Sequence, residues 1–385
     1  MPASWLCEAG PFQGGGCVMR RCFAFCIALS LLAGAMLVAQ EKSPSLPTPT
    51  LLRLQVKDKP LSEVLSLLQK QAGIPIRDQS GGAANHRISL DLNRVAVLQA
   101  ADAVAAASGT RLVVQPAGGG LVFLPGPNRA VPTVYDGDFR LRVTRITASR
   151  DLEAENGTCL VGLEVTWMPT LRPLYLDSIV QDLQVSDASG RRLEVSSEGS
   201  SQVPVDGRSS LEVEVTFAAL PRRESVIGKL SGRLQAIVPS KFLTFRFPAE
   251  LDRLEESVRD GAFRRLVQED VVCQLTRIQL GKDRWSIQVG LRYPLGGKLL
   301  ESFQASSLVA SNELVLSHKN GKDRLVPTAW AIDEVSARHA LVSYHFSDRP
   351  GKQRGRPSDW SVRYSAPARL VEVPVRFAFR DLPLP

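Results

Sequence analysis

The sequence predicts a small α+β module at the N-terminus, followed by two tandem all-β sandwiches. Two internal repeats and one change of hydrophobic period lead to this prediction. A repeat at an offset of 36 residues covers 51–124, where alternating apolar positions give way to helical spacing. A longer repeat, at an offset of about 130 residues, covers the region after 135 and consists of alternating stretches throughout. Alternation predicts half-buried strands, and recurrence at three and four residues predicts amphipathic helices.

Each half of the shorter repeat predicts a strand, then a helix, then another strand. Pro60 begins the first predicted helix, where a missing N–H is harmless, and Gly73 and Gly109 follow the two helices as left-handed caps. The apolar residues that predict the strands and helices recur in order: Leu54, Val56, Leu61, Val64, Leu65 and Leu68, then Leu90, Leu92, Val97, Ala100, Ala101 and Val104. With two further strands after Gly109, the expected order is β-α-β-β-α-β-β over residues 40–126.

This module carries a family resemblance. The string from Leu54 to Leu65, closing on Gly73, resembles the short N-terminal domain of secretins and TonB-dependent receptors, and Ile88 through Leu112 resembles that domain's second half. The resemblance implies a protein-interaction or signalling module without catalytic activity. No secretin pore or receptor barrel pattern follows it, so only the interaction role is implied. Its combination with β-rich repeats is also similar to uncharacterised exported bacterial proteins.

The longer repeat predicts the two sandwiches. Val143 matches Leu275, Val161 matches Val289, and the closing strands match at Leu243, Phe245 and Phe247 against Val373, Val375 and Phe377. Apolar and polar residues alternate in these strands, which is typical of antiparallel sheets with one face on a core. Two immunoglobulin-like sandwiches are the simplest interpretation. The predicted boundaries are a linker at 127–135, a first sandwich at 136–250, a connecting segment at 251–265 and a second sandwich at 266–385.

The beginning of the chain has the pattern of an export signal. Arg20 and Arg21 precede the apolar run Cys22–Leu37, and small residues lead to Ala39. We expect residues 1–39 to be a signal peptide cleaved after Ala39, with Ala35 as the alternative site and Met19 as an alternative start. The expected location is the periplasm or outer envelope, with no membrane span in the mature chain.

Composition excludes several classes of protein. The 385 residues are 44% apolar and 22% charged, which excludes a polytopic membrane protein and a wholly disordered chain. The net charge of +8 is scattered, whereas a nucleic-acid binder concentrates it, so we expect no nucleic-acid partner. The densest basic stretch, Arg349 to Arg356, is interrupted by Gly and Pro and is predicted to be a solvated hairpin loop.

No pattern for catalysis, a cofactor or a metal is recognisable. The histidines occur in no zinc-binding spacing, and the pair His339 and His345 is too widely separated along one strand face to share an ion. The sequence contains no Gly-x-Ser-x-Gly motif and no phosphate-binding loop. We therefore expect no enzyme activity and no cofactor, with an unfamiliar type of enzyme as a remote alternative.

Cys159 and Cys273 remain after the predicted cleavage. Each lies on a predicted strand, at a position that the other sandwich fills with an aliphatic residue. A small buried thiol fits such a position, so we predict two free, buried cysteines and no disulfide.

The expected function is that of an exported protein-interaction or scaffold protein, with the N-terminal module docking an envelope protein. The alternative is a protein that binds envelope polysaccharide or peptidoglycan through its sandwiches, and an anionic polysaccharide is a second expected partner. For Trp167, Trp285, Trp330 and Trp360 the leading interpretation is packing in a core or at an edge, and Trp285 shares the core face of its predicted strand. A sugar-stacking surface is the alternative, mainly at Trp330 and Trp360, which lie near predicted loops.

Overall fold

The computed structural model describes residues 48–81, 87–116, 119–127, 129–151, 153, 157–196, 202–221, 224–262, 264–293, 309, 311–336, 338–348 and 354–384. All of them belong to one compact unit, Pro44–Pro385. The predicted signal segment and its cleavage residue Ala39 lie outside this part of the chain. The described residues are mostly β-structure, as the alternation predicts, and none of their helices is long and apolar enough to cross a membrane.

The N-terminal module contains two helices between two small sheets. Its elements are β1 (Leu51–Pro60), α1 (Leu61–Ala72), β2 (Ile76–Asp78), β3 (Arg87–Ala96), α2 (Val97–Ser108), β4 (Thr110–Val114) and β5 (Leu121–Pro125). One sheet pairs β1 with β3 antiparallel, and the other has the order β2-β5-β4. The helices contact both sheets, so one core serves the whole module.

The backbone repeats at the same 36-residue offset as the sequence. Asp58 and Arg94, at the ends of β1 and β3, both have φ of 53°. Gly73 and Gly109, which cap α1 and α2, have φ of 66° and 64° and donate backbone N–H groups into the last helical turn. A left-handed residue at a helix end favours glycine because a side chain is strained there. The two halves therefore share their irregular positions as well as their apolar pattern.

The two halves meet along their equivalent strands. Gln55 lies opposite Asp91 in the β1–β3 pair, and these two residues are themselves 36 apart. Gln55 Nε2 donates to Asp91 Oδ1 at 2.8 Å. An antiparallel pair with equivalent residues facing each other has local two-fold symmetry, so the module is two similar halves related by a rotation at this point.

The rest of the chain forms two β-units joined by a shared sheet. The strands are β6 (Thr133–Asp136), β7 (Phe139–Arg150), β8 (Gly157–Trp167), β9 (Tyr175–Asp177), β10 (Gln181–Asp187), β11 (Val195–Ser196), β12 (Gln202–Pro204), β13 (Ser210–Ala218), β14 (Val226–Glu250), β15 (Arg265–Gln268), β16 (Val271–Leu280), β17 (Arg284–Arg292), β18 (Glu313–His318), β19 (Arg324–Leu325), β20 (Ala329–Val335), β21 (His339–Ser347) and β22 (Trp360–Pro383). Helix α3 (Leu251–Arg259) follows β14, and a 3-10 turn (Pro357–Asp359) precedes β22.

Each β-unit has its own five-stranded sheet, in the orders β11-β13-β8-β7-β6 and β15-β16-β17-β21-β20. The shared sheet has the order β12-β9-β14-β22-β18-β19, with β10 also paired to β14. The first core contains residues of the first five-stranded sheet and of the shared sheet, and the second core combines the other five-stranded sheet with the shared sheet in the same way.

The pair of β14 and β22, which we call the ribbon, connects the two units. Its antiparallel register runs from Val226 opposite Pro383 to Arg246 opposite Arg363 without interruption. A strand of 25 residues is about 80 Å long, whereas strands in globular proteins usually have three to ten residues. One strand can therefore take part in both cores.

The two cores lie on opposite faces of the ribbon. In the first half of β14, Leu230, Leu234 and Val238 are buried in the first core. In the second half, Leu243 and Phe245 are buried in the second core. Between Leu230 and Phe247, the residues of β14 that belong to these two cores change from even to odd numbers along an unbroken strand pairing, and successive side chains point to opposite faces. The two five-stranded sheets must therefore cover opposite sides of the ribbon.

The closing strands of the two repeats are exchanged between the units. Phe245 and Phe247, which end the first repeat, pack in the second core, and Phe377 and Phe379, which end the second repeat, pack in the first core. The predicted boundaries at 136–250 and 266–385 therefore do not separate the two cores. The boundaries followed the sequence repeat, whereas the packing follows a strand that continues past the end of its own unit.

The two predicted connecting segments also differ from the structure. The linker at 127–135 ends inside β6, which is already part of the first five-stranded sheet. The segment at 251–265 contains α3, whose apolar residues Leu251, Leu254 and Val258 share one helix face and are buried in the second core. Both segments are structural parts of the units that they were expected to connect.

Candidate functional site

The N-terminal module has strand edges at which a further strand could pair. An unpaired edge presents a row of backbone N–H and C=O groups, and natural proteins cover or interrupt such edges. β1 and β3 are each paired on one side, by each other. The surroundings of these two edges are different, although the two strands are equivalent in the repeat.

The edge of β1 is closed by a side chain. Gln71, near the end of α1, accepts a hydrogen bond from Arg53 N–H at 3.2 Å and donates Nε2 to Arg53 C=O at 3.0 Å. The amide thus takes the two backbone groups that a neighbouring strand would use. β2, the edge of the other sheet, is covered in a similar way, because Ile76 N–H donates to Gln69 Oε1 at 2.9 Å.

Among the residues that the structure describes, none covers the edge of β3 as Gln71 covers that of β1. The residue 36 positions after Gln71 is Ala107, which is exposed on α2 and has no polar side chain to offer to Ser89, the counterpart of Arg53. β3 is ten residues long, twice the length of β4, which is the remaining edge of the module. An extended peptide could add to β3 by main-chain hydrogen bonds. This strand edge is the candidate functional site.

The module is joined to the first β-unit by a buried ion pair. Arg140 Nη1 on β7 lies 2.9 Å from Asp102 Oδ1 on α2, and their side chains are 4% and 14% exposed. Tyr135 of β6 donates its hydroxyl to Asp102 Oδ2 at 2.8 Å, and Arg140 Nη2 donates to Thr166 at 3.4 Å. Burial, followed by the negative charge of Asp102, raises the pKa of Tyr135, so this hydroxyl keeps its proton.

Apolar contacts strengthen the same junction. Met168, which follows β8, is 3% exposed and belongs to the module's core cluster, and Tyr135 packs against that cluster. Burial raises the pKa of Asp138, whose carbonyl accepts a hydrogen bond from Met168 N–H. The open edge of β3 is therefore part of a module that is anchored to the first β-unit.

The two cysteines lie in different cores. Cys159 on β8 is buried in the first core and Cys273 on β16 in the second, and both are free. Burial raises the pKa of both thiols. A protonated thiol is a poor nucleophile, so neither residue has the environment of a reactive cysteine.

One of the two tryptophans considered for sugar stacking is buried. Trp360 is 4% exposed, and its Nε1 donates to the carbonyl of Arg354 at 2.7 Å. It begins a ribbon strand inside the second core, so its proximity to a predicted loop did not make it accessible. Trp330 on the edge strand β20 is 48% exposed, and Trp167 and Trp285 are core residues.

The basic stretch at 349–356 is partly structural. Arg354 was expected in a solvated loop, but it is 5% exposed. Its guanidinium bonds Asp348, the carbonyl of Phe346 and the carbonyl of Lys282, and it lies over the ring of Trp285. Arg349 and Lys352 lie outside the described residues. Arg354 therefore connects two loops of the second unit and is unavailable to an anionic partner.

The histidines are dispersed. His339 and His345 lie on the same face of β21, His339 Nδ1 is 3.5 Å from Glu334, and His318 packs edge-on against Trp360. Within the described ranges, no group of three or more His, Cys, Asp and Glu side chains is placed to hold a metal ion. His86 lies outside those ranges.

No protein-family model, no curated protein and no solved structure matches this chain. The candidate site consequently depends on the geometry of the module alone. The sequence predicted that the module docks a partner and did not indicate which strand would do so. The signal that distinguishes the strands is the difference between Gln71 and Ala107 in the 36-residue repeat.

Proposed function

We propose that this protein is an exported, non-catalytic interaction protein of the cell envelope, whose N-terminal module docks an extended segment of a partner protein. The resemblance of residues 51–124 to the short N-terminal domain of secretins and TonB-dependent receptors supports the interaction role. The two immunoglobulin-like sandwiches that follow act as the scaffold that presents the module.

The observation that carries this proposal is the open edge of β3. The equivalent edge of β1 is covered by Gln71, and β3 has Ala107 in the corresponding place. The buried pair of Asp102 and Arg140 gives the module a fixed attachment, so a strand bound at β3 would be held relative to the sandwiches.

The test is to close the β3 edge in the full-length chain. Ala107→Gln introduces on α2 the amide that Gln71 provides on α1, at an exposed helical position where glutamine is well tolerated. We expect this variant to recover much less of the partner from an envelope extract. Hydrogen exchange of the wild-type complex should show new protection in Arg87–Ala96.

Ala106→Gln is the matched control, because residue 106 is also exposed, lies on the same helix and does not correspond to Gln71. It should behave as the wild type does. Equal recovery by the wild type and Ala107→Gln, or protection confined to the β-units, would show that docking occurs elsewhere. Recovery of glycan without protein would favour the polysaccharide-binding alternative.

A further inference from the structure

One face of the ribbon is exposed and unusually basic. Over the half of the ribbon that packs on the first core, most outward positions of β14 and β22 are polar or charged and reach solvent, the exceptions being Pro374, Ala378 and the buried Ile237. Lys229, Arg233, Arg376 and Arg380 belong to this set, and we call these four residues the cationic face.

The four cations are arranged as two opposed pairs. Lys229 lies directly opposite Arg380, and Arg233 lies directly opposite Arg376. Directly opposed side chains on neighbouring strands have Cβ atoms about 5 Å apart, and like charges in such pairs are destabilising. The two pairs are four residues apart, or about 13 Å along the ribbon. The arrangement costs stability unless an anion lies between the pairs.

The protein supplies few anions to this face. Asp182 pairs with Arg233 at 3.2 Å, and Lys229 Nζ donates to Gln184 at 3.4 Å. The side chains of Arg376 and Arg380 form no ion pair or hydrogen bond within the described part of the chain, although Asp136 accepts the backbone N–H of Arg376.

Glu372 is a second carboxylate on this side of the ribbon. It lies opposite Ile237, beyond the Arg233 and Arg376 pair, and accepts a hydrogen bond from Gln235. Asp136 also lies beside Arg376, and Asp381 follows Arg380, so this face is distinguished by its two opposed cation pairs and by the unpartnered side chains of Arg376 and Arg380 within the described residues.

The other half of the chain provides an internal comparison. In the 130-residue repeat, Arg363 is the equivalent of Arg233 and Arg246 is the equivalent of Arg376. These two arginines also lie opposite each other. The repeat equivalents of Lys229 and Arg380 are Asp359 and Glu250, which are acidic residues. Both carboxylates bind cations of their own, Lys319 and Arg253. The second half therefore has one arginine pair flanked by acidic residues, and only the first half has the fourfold array.

We propose that the cationic face binds a linear acidic polysaccharide lying along the ribbon. Guanidinium groups form paired hydrogen bonds with carboxylates, and a polymer with repeated carboxylates can reach both cation pairs at once. No aromatic side chain stands among the outward residues of this half of the ribbon, so the stacking that single-stranded nucleic acids use has no platform. The face thus recognises charge on a polymer that does not need stacking.

The experiment compares two double variants of the full-length chain. Arg376→Gln with Arg380→Gln removes the two unpaired cations, and Arg246→Gln with Arg363→Gln removes the same charge from the equivalent pair in the other half. Binding is measured by calorimetry with polygalacturonate, in low salt and in about 0.3 M salt. We expect the first variant to bind roughly tenfold more weakly and the second to bind as the wild type does. Higher salt should weaken wild-type binding because it screens these contacts.

Neutral dextran and single-stranded DNA of matched length are the competing probes. Equal loss of affinity in the two variants would show binding through net charge and overturn the assignment. Equal or tighter binding of the DNA would overturn the polysaccharide class, and binding of dextran would overturn the electrostatic basis. Because Ala107→Gln changes none of the four cations, this variant should bind the polymer normally, which separates this proposal from the docking proposal.

Discussion

The N-terminal module and the paired β-units each contain a sequence repeat, and each repeat is closed by pairing two equivalent strands antiparallel. In the module, Gln55 faces Asp91 and the strands are ten residues long. In the β-units, Pro239 faces Leu370, which is 131 residues later, so equivalent residues of the 130-residue repeat lie almost directly opposite each other. These strands are 25 and 24 residues long. The short strands give one common core, whereas the long strands extend beyond the symmetry point and take part in two.

The difference shows that strand length decides what such symmetry produces. A short strand presents one apolar face, and the helices of both halves pack against that face. A long strand can change which face is buried, as β14 does between Val238 and Leu243. The consequence is two cores with exchanged closing strands, although both regions obey the same pairing rule.

The exchange makes a strong prediction about two repeat-related phenylalanines. Phe377→Ala should destabilise the first core and Phe247→Ala the second, each by about 3–5 kcal/mol, because each truncation leaves a cavity among buried apolar residues. Hydrogen exchange should accelerate in β7 and β8 for Phe377→Ala, and in β16 and β17 for Phe247→Ala. If each variant loosened the unit of its own sequence repeat, the exchange would be disproved.

Variants at the junction with the first β-unit test whether the stability of the N-terminal module is independent of that unit. Asp102→Asn removes one charge of a buried pair and leaves Arg140 without its carboxylate, which should cost about 2–4 kcal/mol. Glu63→Gln, in the exposed pair with Lys59, is the control and should cost under about 1 kcal/mol. Thermal unfolding of the two variants gives the comparison. Equal midpoints would mean that Asp102 and Arg140 do not couple the module to the first β-unit.

Alkaline pH should separate the two β-units. The second core contains Tyr344, whose pKa burial raises to about 12, and Tyr364 and Cys273, whose pKa values burial also raises. In the first core, burial raises the pKa of Cys159. A raised folded pKa means that the neutral form is favoured on folding. The resulting stability is complete below the unfolded pKa, near 10 for tyrosine, and is lost as pH rises towards the folded value.

Between about pH 8 and pH 11 the second core, which contains Tyr344 and Tyr364, should therefore lose roughly 1–2 kcal/mol more than the first core. Tyr135, the tyrosine of the first β-unit whose pKa burial also raises, packs against the module's core and not in the first core. Hydrogen exchange of β16 and β7 at the two pH values measures this difference. Tyr344→Phe should reduce the alkaline loss in β16 and leave β7 unchanged. A parallel loss in both strands would contradict the assignment to the tyrosine and cysteine groups of the second core.

The local elements of the fold were predictable from the sequence, and the long-range pairings were not. Apolar spacing in Leu61, Val64 and Leu68 marked a helix, because an amphipathic helix needs only its own periodicity. The change from Leu230, Leu234 and Val238 to Leu243 and Phe245 is also visible in the sequence. It acquires meaning only when β14 is known to pair with β22 along its whole length, and that choice depends on residues far apart in the chain.

The candidate site shows the same division. An uncovered edge in the module could be expected from its size, and the Gln71 and Ala107 difference is present in the repeat. Neither identifies the edge without the register of β1 with β3 and the hydrogen bonds to Arg53. The burial of Trp360 and Arg354 could not be predicted from the sequence either, because both residues depend on loops that meet only in the folded second unit.

The exchanged strands also set the order in which this chain can be completed during synthesis. The first β-unit needs Phe377 and Phe379 from the end of the chain, and Asp136 bonds the backbone of Arg376 across 240 residues. Until those residues are made, the part of that core that β22 covers stays open, although β14 already supplies Leu230, Leu234 and Val238. The part of the two β-units that is synthesised first is thus the part that is finished last, and its early strands depend on protection from aggregation until the final segment arrives.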